Sequence, residues 1–286
     1  MKNTFSQCYR LINATLNVPS TVTNYSNLFY NCANLVRGPY GIYSGSSPDN
    51  IRNVFYNCKN LQEGPREWSF TGSFANLFNS HTNIKNCILG DCVANNTYYM
   101  FNGCRNLIEG PEMFSNTTSM VYTFYNCYNL KYAPSILRSN KLSNMYYAFY
   151  NCTNMIKPNG TDDFYIAIDA MVNASRAFYN CTNLKTRIEF YRINESTTSN
   201  PNFYQTFRNC VNLTQVTFPN AVTKLYNTFE SCHSISSVSG PSITNMYGAF
   251  TNSKISGISF PNSVLYMNYT FNNCRNLTGI KLPNSV

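Results

Sequence analysis

Apolar residues recur along this chain in a fixed frame rather than in blocks. The frame is Phe-x-Asn-Cys-x-Asn-Leu, complete in Phe29-Tyr-Asn31-Cys32-Ala-Asn34-Leu35. Phe and Cys keep this spacing at 5/8, 29/32, 55/58, 101/104, 124/127, 149/152, 178/181, 207/210, 229/232 and 271/274. Two further copies keep the Phe and replace the Cys: Phe78 with His81, and Phe250 with Ser253. The twelve phenylalanines are 21 to 29 residues apart. A period in this range is the mark of a solenoid, in which one unit cannot bury its own apolar face and stacked units share a core. Four residues before each Phe stands a second apolar anchor, as in Met145, with Thr97 the exception. Met145, Phe149 and Cys152 then lie at i, i+4 and i+7, which predicts a short helix or 3₁₀ turn opening each unit. Leu, Ile or Met follows three residues after the Cys. In the last third an alternating run comes next, as in Leu213-Thr-Gln-Val216-Thr-Phe218-Pro219 and Leu277-Thr-Gly-Ile280-Lys-Leu282-Pro283. Period two predicts a short strand, and Pro, which has no amide to donate, ends it.

The expected fold is an α/β solenoid of about twelve coils of 21–29 residues, with short parallel strands and short helical turns, filling residues 1–286 as one elongated domain. At ~4.8 Å per coil it would be on the order of 55–60 Å long. Residues 1–200 carry irregular copies with insertions at 36–50, 63–70, 156–177 and 185–206, and residues 201–286 carry the regular ones. Inserts of this kind tend to project from one face. The frame opens at Met1 and closes at Val286 with no polar capping segment. Solenoids need capped ends, so the expectation is a part of a longer or assembled structure, its ends stacking on partners or on other copies.

The full pattern, apolar-x-x-x-Phe-x-x-Cys-x-x-Leu-x-x-Ile-x-Leu-Pro, is best kept from Val264 to Pro283, through Met267, Phe271, Cys274, Leu277, Ile280 and Leu282. It resembles the BspA-type leucine-rich repeat, a family found in bacterial and protozoan surface adhesins and in bacteriophage tail and fibre proteins. What the resemblance implies is a binding scaffold without catalytic chemistry.

Charged residues make up only 12% of the chain, about half the usual share. Asn, Ser, Thr and Tyr must therefore cover the surface, which suits contact with sugars or other subunits. The net charge of +9 is spread thinly, with Lys59, Arg105 and Arg275 sharing one slot, so the concentrated basic face that nucleic acid requires is missing. No run of 18 apolar residues occurs, so no span is expected, and residues 1–20 lack a basic start followed by an apolar run. Ten of the twelve cysteines occupy one slot beside Phe and Leu. They read as small buried hydrophobes rather than bridges, made in a reducing compartment.

Candidate chemistry is sparse. His81, Cys87, Asp91 and Cys92 lie close in sequence but lack zinc-ligand spacing, and His81 reads as a replaced kernel Cys. Cys232–His233 are adjacent residues on a turn, and their side chains point apart. Asp162, Asp163, Asp169 and Glu189, with Glu195 further on, are the one local acidic concentration, the type of group a glycosidase would use; solvated loop residues are the plainer reading. No metal and no cofactor is expected, and no enzyme.

Tyrosines carry the binding expectation. Tyr30, Tyr56, Tyr125, Tyr150 and Tyr179 each follow the kernel Phe, and Tyr99, Tyr122, Tyr146, Tyr226 and Tyr247 lie near the preceding anchor. Repeated slots become columns, and Tyr packs its ring while keeping its hydroxyl wet. Trp68, the single tryptophan, lies in an insertion and is a second candidate contact. The expected role is a bacteriophage virion protein of a tail, fibre or baseplate, binding a host-surface glycan or protein and other virion subunits. A fragment of a bacterial cell-surface adhesin is the alternative, and a polysaccharide-cleaving spike the third reading.

Overall fold

The computed structural model describes residues 1–16, 21–39, 51–64, 71–85, 87, 93–111, 116–134, 137, 139–158, 164–185, 187–194, 196 and 199–286. These residues form a parallel β-solenoid. Its strands are β1 Thr71–Ser73, β2 Val93–Asn96, β3 Tyr132–Ala133, β4 Lys157–Pro158, β5 Phe164–Ala167, β6 Arg187–Tyr191, β7 Gln215–Thr217 and β8 Ser237–Ser239. β1 pairs with β2, β3 with β4, and β5-β6-β7-β8 form one four-stranded sheet; every pair is parallel. Single parallel bridges carry the pairing further, along Asn96, Ser119, Asn144, Asn173 and Asn202 for example. The continuous sheet begins at Phe164, inside a long unit. Leu277–Pro283, which alternates best of all, forms no ladder, because a strand exists only where a neighbour pairs with it.

The expected helical turns do not form, and among the described residues no helix is present. The coil around Phe149 shows what replaces them. The amides of Met145, Tyr147, Phe149 and Asn151 donate across to Asn173, Ser175, Ala177 and Tyr179 of the next coil, at 2.8–3.2 Å. The amides of Ala148, Tyr150 and Cys152 donate back within the coil to Met145, Tyr147 and Phe149. The amide between, Tyr146, is capped by Asn144 Oδ1 at 3.0 Å, an Asx turn. Every amide from 145 to 152 is thus satisfied, as burial requires. Alternating destinations demand a positive φ at the third residue of successive turns, as in type II turns. That residue is Tyr147 at +55° and again Asn151 at +60°. The same two slots, two before and two after the kernel Phe, are left-handed in all twelve copies, with Gly103 and Gly248 among them. A helix cannot pass through two left-handed residues four apart.

Asn fills these slots because it tolerates the left-handed region and because its amide finds a partner one coil away. Asn27 donates to Asn3, Asn53 to Asn27, and Asn57 to Asn31, each at 3.0 Å. Asn151 donates to Asn126 and Asn180 to Asn151, both at 2.8 Å. A second column, at the other kernel Asn, links Asn129, Asn154 and Asn183 at 2.9 and 3.1 Å.

Inside, the rings of the twelve kernel phenylalanines stack in chain order from Phe5 to Phe271, centroids 5.3–5.9 Å apart and planes within 14°. Packing is tight enough that a Cβ on Gly110 would lie 2.7 Å from the Phe124 ring. The kernel thiols stand beside this column. Each of them after Cys8 donates to the carbonyl of the Phe one coil earlier, as Cys152 does to Phe124 at 3.2 Å and Cys181 to Phe149 at 3.2 Å. Ser253 makes the same bond to Phe229 at 3.1 Å, so a hydroxyl replaces the thiol without loss. Burial pushes these thiols up, Cys32 to about 11 and Cys210 to about 12, which keeps them protonated donors.

Two outcomes test this account. Asn151→Ala removes two column hydrogen bonds and places a Cβ without compensation in the left-handed region. It should lower stability by about 2–3 kcal/mol, and Asn151→Gly by clearly less, in denaturant midpoints. In native protein a thiol reagent should label the exposed Cys8 first, while Cys104, Cys152 and Cys210 react only after denaturant, read by mass spectrometry.

Candidate functional site

The tyrosines selected in the sequence fall into separate stacks. Tyr30 and Tyr56 stack at 5.0 Å. Tyr125, Tyr150 and Tyr179 form a second pile at 4.8 and 4.6 Å. Asn79 and Asn102, hydrogen-bonded at 3.1 Å, occupy the slot between them. Arg208 caps the second pile, 5.5 Å over the Tyr179 ring. Trp68 lies outside the described residues.

The other tyrosine set proves to be two columns. Tyr99, Tyr122 and Tyr147 hold the left-handed slot before the Phe and stack at 4.6 and 5.0 Å. Tyr98, Tyr146, Tyr204, Tyr226 and Tyr247 hold the neighbouring slot, three before the Phe. Tyr98, Tyr147, Tyr204 and Tyr269, the last in the left-handed slot before Phe271, are the members that reading the sequence missed; aligning every unit on its Phe, slot by slot, exposes them. The phenols crowd together. Burial, and then the neighbouring hydroxyls of Tyr98, Tyr125 and Tyr146, push Tyr99 up to about 12.

Beyond Tyr147 the left-handed slot turns charged and polar. The Arg176 guanidinium lies between the Tyr147 and Tyr204 rings, 5.3 and 5.1 Å from their centroids. Arg176 donates to the Tyr147 hydroxyl at 2.6 Å and to Gln205 Oε1 at 2.8 Å. Gln205 donates to Glu230 Oε2 at 3.2 Å, which pairs with Arg208 at 3.1 Å. These charges are answered within the chain. Further on, a shallow cavity of about 260 Å³ opens by Asn202, Tyr204, Lys224 and Tyr226.

The acidic residues do not converge. Asp169 is buried and accepts from the amides of Ile193 at 3.1 Å and Asn194 at 2.6 Å, so it serves to hold the backbone just after β6. Glu189 faces out beside Arg187, 3.1 Å away on β6. Asp162, Asp163 and Glu195 lie outside the described residues. Among the described residues no group of three metal-ligating side chains forms, and no helix is long and apolar enough to cross a membrane. Cys87 packs against Gly64 in the core, its sulfur 3.3 Å from where a Cβ on that glycine would stand; Asp91 and Cys92 lie outside the described residues.

His81 is the outlier among the buried groups. It is fully buried, edge-on to Phe78 at 5.8 Å, with no well-formed hydrogen bond to either ring nitrogen. Burial drives its pKa down to about 4; the nearby backbone of Phe78, Asn79 and Phe55 offsets only part of this.

A parallel solenoid with this kernel defines a leucine-rich-repeat protein. The family described as BspA type leucine rich repeat region matches in six copies over residues 43–158, 173–267 and 203–286. The chain belongs to that family. Among solved structures it is similar to a leucine-rich repeat protein from Bacteroides ovatus, at 19% identity and a TM-score of 0.54, over 100% of this chain and 82% of that one. It is also similar to a leucine rich cell surface protein from Faecalibacterium prausnitzii, at 17% identity and a TM-score of 0.40, over 100% and 76%. No curated protein matches.

His81 supplies a prediction with a definite sign. Its folded pKa of about 4 lies below the ordinary 6.5, so only the unfolded chain takes up the proton between these values. Stability should therefore fall as pH drops from about 6.5 to 4, by about 3 kcal/mol in all. In His81→Cys, which restores the kernel thiol, that loss should vanish from melts run across this range.

Proposed function

We propose that this chain is a non-enzymatic binding solenoid, one coil per kernel copy and twelve in all, whose tyrosine face engages a ligand on a cell surface. The observation that supports it is the ordering of these rings into columns on one stretch of the solenoid, with hydroxyls and guanidinium groups beside them. Tyr presents large contact area at low entropic cost and is enriched where proteins bind. The setting we favour is a bacteriophage virion, where such a face would meet the host. A bacterial cell surface is the second setting; family membership favours it. The ends of the solenoid would dock on other virion subunits or on further copies.

Labelled protein incubated with intact bacteria of several envelope types should bind saturably to at least one. Tyr125→Ala/Tyr150→Ala should weaken that binding about tenfold without moving the melting temperature by more than a few degrees. Saturable binding to none of them, or full binding by the double variant, would remove the tyrosine columns from the account. Gold-labelled antibody decorating a phage tail rather than a cell envelope decides between the settings.

A further inference from the structure

Two tyrosines lie across the Tyr99–Tyr122–Tyr147 stack rather than within it. Tyr98 is turned 72° from Tyr99 and 81° from Tyr122, which stack on each other. Tyr146 is turned 83° from Tyr122 and 88° from Tyr147, which also stack on each other. A ring perpendicular to two rings that already face one another meets only their rims. The closest centroid distances, 4.3 Å for Tyr98 to Tyr99 and 4.5 Å for Tyr146 to Tyr147, are too short for rim against rim. Each therefore lays its own face across the rim of the stack beneath, which leaves its opposite face directed away from the stack; Tyr146 is half-buried. Tyr98 is 39% exposed. Val121 holds the same slot in the coil between them and is half-buried, so the three form one apolar floor. The outward rings are two coils apart, about 10 Å along the solenoid axis.

We infer that Tyr98, Val121 and Tyr146 form a stacking floor for an uncharged polysaccharide lying along the solenoid, an inference that rests on the tyrosine face being the binding face. Three features favour this occupant. An exposed phenol face offers its electron-rich side to the axial C–H groups of a pyranose ring, a contact open to the outward rings and closed to those stacked within a column. An extended chain of β-linked pyranoses spans the gap between the two rings with about two sugar units, so alternate sugars find the same surface. The nearby hydroxyls of Tyr99, Tyr122 and Tyr147 give donors and acceptors for sugar hydroxyls. The nearby guanidinium groups are held in place, Arg208 by its ion pair with Glu230 and Arg176 by its bonds to Tyr147 and Gln205, so the floor itself carries no charge for an acidic glycan. The support beneath is itself unusual. Tyr99, Tyr122 and Tyr147 occupy a left-handed slot that Asn fills in the first four coils. A bulky residue is strained there by about 1–2 kcal/mol, and the strain is retained where the ring serves to hold something in place.

The test is retardation of the whole chain in native gels cast with neutral β-glucan, mannan or dextran, or with heparin as the acidic comparator. At least one neutral polysaccharide should retard the wild type, and retardation should persist in 0.5 M salt. Tyr146→Ala and Val121→Lys should each weaken it about tenfold or more, Tyr146→Phe by less than threefold, and Tyr9→Ala, at an exposed ring of the first coil outside the columns, not at all. Val121→Lys leaves the stack untouched, so a folding failure of Tyr146→Ala does not decide the matter. Retardation by heparin alone, by none of the polymers, or equally in Val121→Lys overturns the proposal. If intact bacteria still bind the wild type while every neutral polymer fails, the floor is wrong and the binding face stands; if bacteria also fail, both are wrong.

Discussion

Alternate amides of the kernel go to different places, one across to the next coil and one back within its own, and the rest of the structure depends on keeping that alternation. Two left-handed residues per coil are what it requires. They turn a spacing that would suit a helix into a string of tight turns, and they bring each coil into contact with the next over its whole kernel, not only through its strand. This explains why the solenoid stays continuous where the strands are two residues long or reduced to a single bridge. The kernel ladder, rather than the sheet, carries the register.

The Phe and Cys columns inherit their spacing from that ladder. A phenylalanine carbonyl accepts the amide of its own kernel Cys and, with its other lone pair, the thiol of the Cys one coil on. The slot thus selects a small side chain with a single donor, a condition both Cys and Ser satisfy. His81 brings a single N–H donor but not a small side chain, and its ring nitrogens find no well-formed partner while burial lowers its pKa. A buried polar group without a partner costs about 1–3 kcal/mol, comparable to the contribution of several good column contacts, so the coil holding His81 is the weak point of the core.

The columns were readable from spacing alone, because a repeated slot must become a line in space whatever the local path. The path itself was not readable. Met145, Phe149 and Cys152 point inward at i, i+4 and i+7 from a chain of turns as they would from a helix, so periodicity cannot separate the two. The signal that does separate them was present in Asn31, Asn57, Asn126, Asn151 and Asn180. Asn in a helix interior is a poor choice, while Asn at a positive φ with an amide neighbour one coil away is a good one. The tyrosines failed in a similar way: Tyr99 and Tyr146 sit one slot apart, and grouping them by proximity to the anchor merged a stack with the rings that lie across it.

Slot composition also shows where this solenoid departs from its own rules. Two-fifths of the way along, the left-handed slot changes from Asn to Tyr for three coils, then to Arg176 and Gln205, and returns to Asn at 227. Each such tyrosine is strained by about 1–2 kcal/mol, and an aromatic pair returns about 0.5–1.5 kcal/mol beyond its burial. Tyr122, stacked on both Tyr99 and Tyr147 and touched edge-on by Tyr98, Tyr125 and Tyr146, recovers its strain; a single tyrosine in that slot would not. Tyr269, alone in the same slot of the last copy and meeting only Tyr247 edge-on, lacks that return, since coils in a solenoid exchange energy with their neighbours alone. A run of three is the shortest that gives one member stacking partners on both sides, and it is across this run, with its strain offset within the column, that the rings of Tyr98 and Tyr146 lie.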